Sequence, residues 1–295
     1  MVLGGADRLT EGASALARRM NIPEIVIGLT IVAAGTSAPE LFVSLVSALK
    51  GTPDMAVGNV VGSNTMNAML IVGCAAMVAP MTISRSTVRK DIPFSVAASV
   101  LLILLGFDAF LGRIDGIILL VGFAFFMYYT LSQAKAEKPT TETTKQSNPW
   151  LSAFYVILGL ALLVVGSNLF VDSASRVAYA LGISEGVVGL TVVAGGTSLP
   201  ELATSVVAAR KGQSAIAIGN VIGSNVFNIL LILGTTAVIS PLAIQGITVI
   251  DLSVMLLSVT LVWLFSRTRY TVERWEGALL VAGYLVYLGW LLYNV

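Results

Sequence analysis

The chain has 295 residues, of which 56% are hydrophobic and only 11% charged, against about 25% charged in an ordinary soluble domain. With a mean hydropathy of +0.90 and a net charge of +1, it is too apolar for a soluble core and too weakly basic for a nucleic-acid binder. It has no histidine, which excludes imidazole sites and relays, and its single cysteine, Cys74, cannot form an intrachain disulfide.

A helix that crosses a bilayer needs about 20 apolar residues. Apolar runs between charged or Pro/Gly-rich breaks predict ten such segments, at 1–17, 22–49, 54–79, 92–107, 114–132, 150–176, 183–209, 214–239, 247–266 and 275–293. The expected fold is therefore an all-α integral membrane protein. No basic stretch followed by a cleavage site opens the chain, so no cleavable signal peptide is expected. Between the fifth and sixth segments, Gln133 to Pro149 is rich in Lys, Glu, Thr and Pro and reads as a solvated linker. This gives a first five-helix unit over 1–132, a linker over 133–149 and a second five-helix unit over 150–295.

The two units are copies. A shift of 161 residues lays GLTIVAAGTSAPELFVSLVSALKGTPDMAVGNVVGSNTMN (Gly28–Asn67) on GLTVVAGGTSLPELATSVVAARKGQSAIAIGNVIGSNVFN (Gly189–Asn228), with 24 identities in 40 ungapped positions. Composition bias matches Leu, Val and Ala by chance, but not GTS-x-PEL followed by GN-V-x-GSN-x-x-N. Five spans is an odd number, so the second copy is expected to enter the membrane in the opposite sense. Such an inverted repeat is the plan of many secondary transporters, with the substrate site near the midplane between the repeats. Under the same shift Met1 meets Leu162, so the first helix is expected to be about twelve residues shorter than its partner.

Loop charges give an orientation. Numbering the loops alternately places thirteen Lys and Arg on one side (Arg18, Arg19, Arg85, Arg89, Lys90, Lys135, Lys138, Lys145, Arg210, Lys211, Arg267, Arg269 and Arg274) and three on the other (Lys50, Arg113 and Arg176). The positive-inside rule then makes the linker cytoplasmic and puts both termini outside, in a multi-pass cell-membrane protein.

Glu40 and Glu201 are the carboxylates that fall deep inside spans at matched positions. A charge at the bilayer centre costs at least about 2.5 kcal/mol, which points to function. Each follows a proline, Pro39 or Pro200, which has no N–H for the carbonyl four residues back, Gly35 or Gly196. The helix should break there and expose oxygens beside the carboxylate, with the hydroxyls of Thr36, Ser37, Thr197 and Ser198 at the same place. Hard oxygen donors without sulfur or nitrogen suit Na⁺, Ca²⁺ or Mg²⁺. The competing reading is local: Ser37-Ala-Pro-Glu40 and Ser198-Leu-Pro-Glu201 both have the form of a capping box.

The following helix of each half carries Asn59, Ser63 and Asn67, or Asn220, Ser224 and Asn228, four residues apart and so along one face. These polar tips are expected to face the glutamates. Asn59, Asn64, Asn220 and Asn225 stand equally well for cavity lining or packing, and Gly58-x-x-x-Gly62 and Gly219-x-x-x-Gly223 read as close-approach motifs. Asp7 and Glu11, matched by Asn168 and Asp172, line an aqueous path or sit near the surface. Glu24 and Glu185 complement helix starts.

At GTS-x-PEL and GN-x-x-GSN-x-x-N, each present twice, the chain resembles the sodium/calcium exchanger family of cation/calcium antiporters, in its prokaryotic type, over essentially its whole length. The two blocks look like that family's alpha-1 and alpha-2 repeats, at 28–67 and 189–228. The resemblance implies ten helices in inverted halves and exchange of Na⁺ for Ca²⁺, with helices one and six sliding as gates and three Na⁺ per Ca²⁺. It places ion ligands at the carbonyls of Ala33 and Ala194 and at Thr36, Ser37, Glu40, Ser63, Asn67, Thr197, Ser198, Glu201, Ser224 and Asn228. Some relatives carry Asp where this chain has Asn228. The expected activity is therefore electrogenic calcium extrusion, not enzymatic catalysis. It needs no cofactor, and its partners are the transported ions and the bilayer, with no nucleic acid and no obligate protein partner. A proton/calcium or other divalent-cation antiporter on the same fold is the alternative, and a passive cation channel or a scaffold without transport stands further off.

Overall fold

The computed structural model describes residues 1–136, 149–180 and 194–293. Most of the linker, the start of the seventh segment and Glu185 lie outside the described residues. Every one of the ten apolar segments falls on helix where it is described. In a membrane, backbone groups must be satisfied within the segment, so a helix forms even in runs rich in Val and Ile.

Among the described residues, six helices are long and apolar enough to cross a membrane: Pro53–Val78, Arg113–Ala134, Trp150–Leu169, Ser214–Ile239, Val249–Arg267 and Arg274–Tyr293. A seventh is counted if Glu24–Thr36 and Ala38–Leu49, which bend by 46° at their junction, are taken as one span. The first segment departs from expectation. Val2–Met20 is helical but does not qualify as an apolar span, because it carries Asp7, Arg8, Glu11, Arg18 and Arg19. It is amphipathic: Gly5, Ala6, Leu9, Ala13 and Ala17 are buried at helical spacing. At 19 residues it is shorter than its counterpart Pro149–Ala180, at 32.

Val2–Met20 and Pro149–Ala180 lie along each other with glycine at the crossing. A Cβ on Gly12 would stand 2.7 Å from the Ser152 carbonyl oxygen, and one on Gly159 2.5 Å from the Leu9 nitrogen, so only glycine admits this approach. Pro53–Val78 and Ser214–Ile239 form the centre, with 94% of the second helix's apolar stretch buried, against 22% in Arg274–Tyr293, which lies on the outside of the bundle.

Two short antiparallel ribbons close the ends. Met81 pairs with Val272 and Thr82 with Thr271, while Phe110 pairs with Ala243 and Leu111 with Leu242. The 161-residue shift carries 81–82 onto 242–243 and 110–111 onto 271–272. Each ribbon therefore joins one strand from each repeat, and the two ribbons are copies of one another. The central helices also open into wide turns at matched places, Asn67–Ile71 and Phe227–Leu233. Such one-turn widenings gather at functional sites.

Candidate cation site

The helix breaks where the prolines require it. Ser37 (φ −83°, ψ 7°) and Ser198 (φ −87°, ψ 5°) leave helical geometry in nearly the same way, each one residue before a new helix whose second residue is proline. The capping box does not form at either place: neither serine side chain caps its own helix. The hydroxyls cross instead. Ser37 Oγ donates to Glu201 Oε1 at 3.0 Å, and Ser198 Oγ donates to Glu40 Oε1 at 3.3 Å. Each glutamate is thus held by the serine of the other repeat. Ser63 Oγ lies 3.2 Å from Ser198 Oγ, and Ser224 Oγ donates to Glu201 Oε1 at 3.4 Å.

Both carboxylates are out of contact with solvent, at 1% exposure for Glu40 and 0% for Glu201. Each has one oxygen, Oε2, that is buried without a hydrogen-bond partner, and so do Asn67 and Asn228 at Oδ1. An unpartnered buried oxygen is costly. Four of them, all acceptors, fall in matched pairs on residues selected by the sequence. A cation is one ligand that such acceptors can take. No cluster of three or more Asp, Glu, His or Cys occurs among the described residues, so any cation held here is met by two carboxylates and neutral oxygens.

The expected residues divide into those with spare oxygens and those committed to the scaffold. Thr36 Oγ1 donates to Asn220 Oδ1 at 3.0 Å and lies 3.4 Å from the Ala33 carbonyl, which also accepts the Ser37 N–H at 3.0 Å. Ala194 opens the short Ala194–Thr197 helix, and Thr197 is buried at its end. Gly223 admits the broken helix: a Cβ there would sit 2.7 Å from Ala33 Cβ, which supports the close-approach reading of that glycine. Asp7 pairs with Lys211 at 2.5 Å and Glu11 with Arg8 at 3.2 Å, both near the surface. Glu24 begins its helix, accepts from Ser14 and pairs with Arg18.

The asparagines that sequence left open have specific work. Asn59 Nδ2 donates to the Glu40 carbonyl at 3.2 Å and to Ser44 Oγ at 2.9 Å. Asn220 Nδ2 does the same with Glu201 at 3.3 Å and Ser205 at 3.0 Å. These bonds tie the helix after each break to the central helix beside it. Ser44 and Ser205 were not singled out from the sequence, although they are identical under the repeat shift within otherwise apolar runs. A further missed residue is Ser167, whose hydroxyl donates to the Gly196 carbonyl. That carbonyl is the one Pro200 leaves without an N–H.

A helical membrane bundle with two broken helices meeting at a buried, oxygen-lined centre that holds two carboxyl groups is the architecture of a cation transporter. The sodium/calcium exchanger protein family model matches residues 1–132 and 151–293, and the chain belongs to that family. It is similar to the sodium/calcium exchanger MaX1 of Methanosarcina acetivorans, at 32% identity over 98% of this chain and 95% of that protein. It is also similar to the inner membrane protein YrbG of Escherichia coli, at 39% identity over 99% and 93%. Among solved structures it resembles the sodium-calcium exchanger NCX_Mj, with a TM-score of 0.87 and 31% identity over 98% of this chain and 94% of that one. These relatives are membrane exchangers or membrane proteins by name, and the family is one of transporters, not enzymes.

Proposed function

We propose that the chain exchanges Na⁺ for Ca²⁺ by alternating access and extrudes calcium electrogenically. The observation that carries this reading is the set of four buried, unpartnered oxygens on Glu40, Glu201, Asn67 and Asn228. Around them we assign Ser37, Ser63, Ser198 and Ser224, the hydroxyls of Thr36 and Thr197, and the carbonyls of Ala33 and Ala194. Two ionised glutamates give the site about −2. One Ca²⁺ or two Na⁺ neutralise it, and three Na⁺ leave +1. An empty site buries two anions side by side, a costly state. Return without cargo is slow, and transport is exchange, not leak.

The deciding experiment is calcium uptake into proteoliposomes with and without a sodium gradient. Uptake that needs the gradient supports the proposal. Uptake driven by a pH gradient alone assigns the chain to proton/calcium antiport, and uptake with no counter-ion assigns it to a channel. With three Na⁺ per Ca²⁺, flux also responds to a clamped membrane potential, since a full charge crossing is worth about 2.3 kcal/mol per 100 mV. A voltage-insensitive reversal point assigns two Na⁺ instead.

The two repeats lie inverted in the cell membrane, with the linker in the cytoplasm and both termini outside. The support is the thirteen-to-three basic asymmetry. In a Cys74→Ser background, Asn294→Cys should react with an impermeant thiol reagent in intact cells and Thr140→Cys should not. The reverse pattern overturns the orientation.

A further inference from the structure

Four asparagines meet where the two central helices cross, and their hydrogen bonds determine which way every amide faces. Asn64 Nδ2 donates to the backbone carbonyl of Asn225 at 3.2 Å, and Asn225 Nδ2 donates to that of Asn64 at 3.5 Å. A carbonyl only accepts, so these two side chains must place nitrogen toward the opposite backbone and oxygen away from it. Those oxygens are then acceptors for the neighbouring pair: Asn228 Nδ2 donates to Asn64 Oδ1 at 3.0 Å, and Asn67 Nδ2 donates to Asn225 Oδ1 at 3.1 Å. Asn67 and Asn228 have spent their nitrogens, and what they have left is Oδ1, buried and unpartnered.

An asparagine at a cation site has two faces, and only one is useful. With Oδ1 forward it solvates a cation; with Nδ2 forward it repels one. The two orientations occupy nearly the same volume, so packing alone does not choose between them. We infer that Asn64 and Asn225 are positioning residues that lock the amides of Asn228 and Asn67 with oxygen toward the transported cation, each from the opposite repeat. This deepens the cation-site reading above and rests on it. It also gives a reason for the paired GSN-x-x-N motif: the first asparagine of one copy orients the last asparagine of the other.

The test uses sodium-driven calcium uptake by the full chain in proteoliposomes, read as the calcium concentration at half-maximal rate. Asn64→Leu removes the acceptor that holds Asn228 and should raise that concentration about tenfold, the scale of one lost hydrogen bond to a buried group. Asn228→Asp should rescue it, because a carboxylate presents oxygen in either orientation. In the Asn228→Asp background, Asn64→Leu should shift half-saturation by about threefold or less. The mirror pair, Asn225→Leu with Asn67→Asp, should behave in the same way and serves where Asn64→Leu does not fold.

If Asn64→Leu costs the same factor with Asn or Asp at 228, the residue is only structural and the inference is overturned. An unchanged calcium dependence in Asn64→Leu overturns it too. Failure of the underlying site looks different. If Glu40→Gln and Glu201→Gln keep wild-type flux, the site reading itself falls. If those variants lose flux while Asn64→Leu keeps its calcium dependence, only the orienting role falls.

Discussion

The two broken helices carry the same chemistry and different supports. At each break a proline follows a serine that reaches the opposite glutamate, and an asparagine from the central helix holds the glutamate's own carbonyl. Around the second break a bond is added. Ser167 occupies the Gly196 carbonyl that Pro200 leaves free, whereas the matched position in the first half is Ala6, which has no hydroxyl. Asn220 also accepts from Thr36, so one asparagine links both breaks. The bracing by Ser167 therefore differs between the halves, while the serines, glutamates and central-helix asparagines at the breaks are the same in both.

The largest expected effect tests the symmetric part. Glu40→Gln and Glu201→Gln should each lower exchange on the order of a hundredfold or more, since a unit charge beside a cation is worth about 4 kcal/mol at a protein-like effective dielectric. The measurement is sodium-driven calcium uptake, with elution as a single peak from size exclusion as the folding control. Unequal losses, with one variant near wild type, would break the equivalence of the halves at its centre.

Next come the asparagines that hold the breaks. Asn220→Leu removes bonds to Glu201, Ser205 and Thr36, and Asn59→Leu removes those to Glu40 and Ser44. Each should lower stability by about 1–3 kcal/mol, read from thermal unfolding in detergent. An unchanged unfolding temperature in either variant would mean that its bonds to the broken helix add nothing.

Ser167→Ala strands a single carbonyl and should cost about 1 kcal/mol, the usual scale of a hydrogen bond between membrane helices. No equivalent loss is available at Ala6. The smallest effect is expected at the surface. Lys211→Met breaks the pair with Asp7 and should change stability by about 1 kcal/mol or less, because an exposed ion pair is screened, with calcium uptake within about twofold of wild type. A large loss of uptake would give this pair a place in transport rather than at the edge of the bundle.

Much of this frame is legible in the sequence because a membrane leaves few options. Apolar runs must be helices, prolines at Pro39 and Pro200 must break them, and identical polar residues 161 positions apart have no reason to persist in lipid unless they meet something. The competing capping-box reading fails because sequence shows which groups are adjacent along the chain, and Ser37 and Ser198 chose partners across the fold. Val2–Met20 read as a span because its small residues are apolar on one face, while its charges lie on the other. Ser167 was invisible for a related reason: it meets Gly196 from another helix and has no twin in the first half to draw attention to it. The asparagine orientations needed backbone carbonyls from the opposite repeat, which no local pattern reports.

The shared ribbons have a consequence for how the protein is made. Met81–Thr82 and Phe110–Leu111 find their partners in 271–272 and 242–243, and Glu40 finds its serine at Ser198. The partners leave the ribosome about 130 to 190 residues later for the ribbons, roughly 7–40 seconds at about 5–20 residues per second. During that interval the first half stands in the membrane with open strand edges and a carboxylate that lacks its mate. Biogenesis of this transporter is therefore a problem of waiting: the amino-terminal half must be kept in place, unfinished, until its twin arrives to complete it.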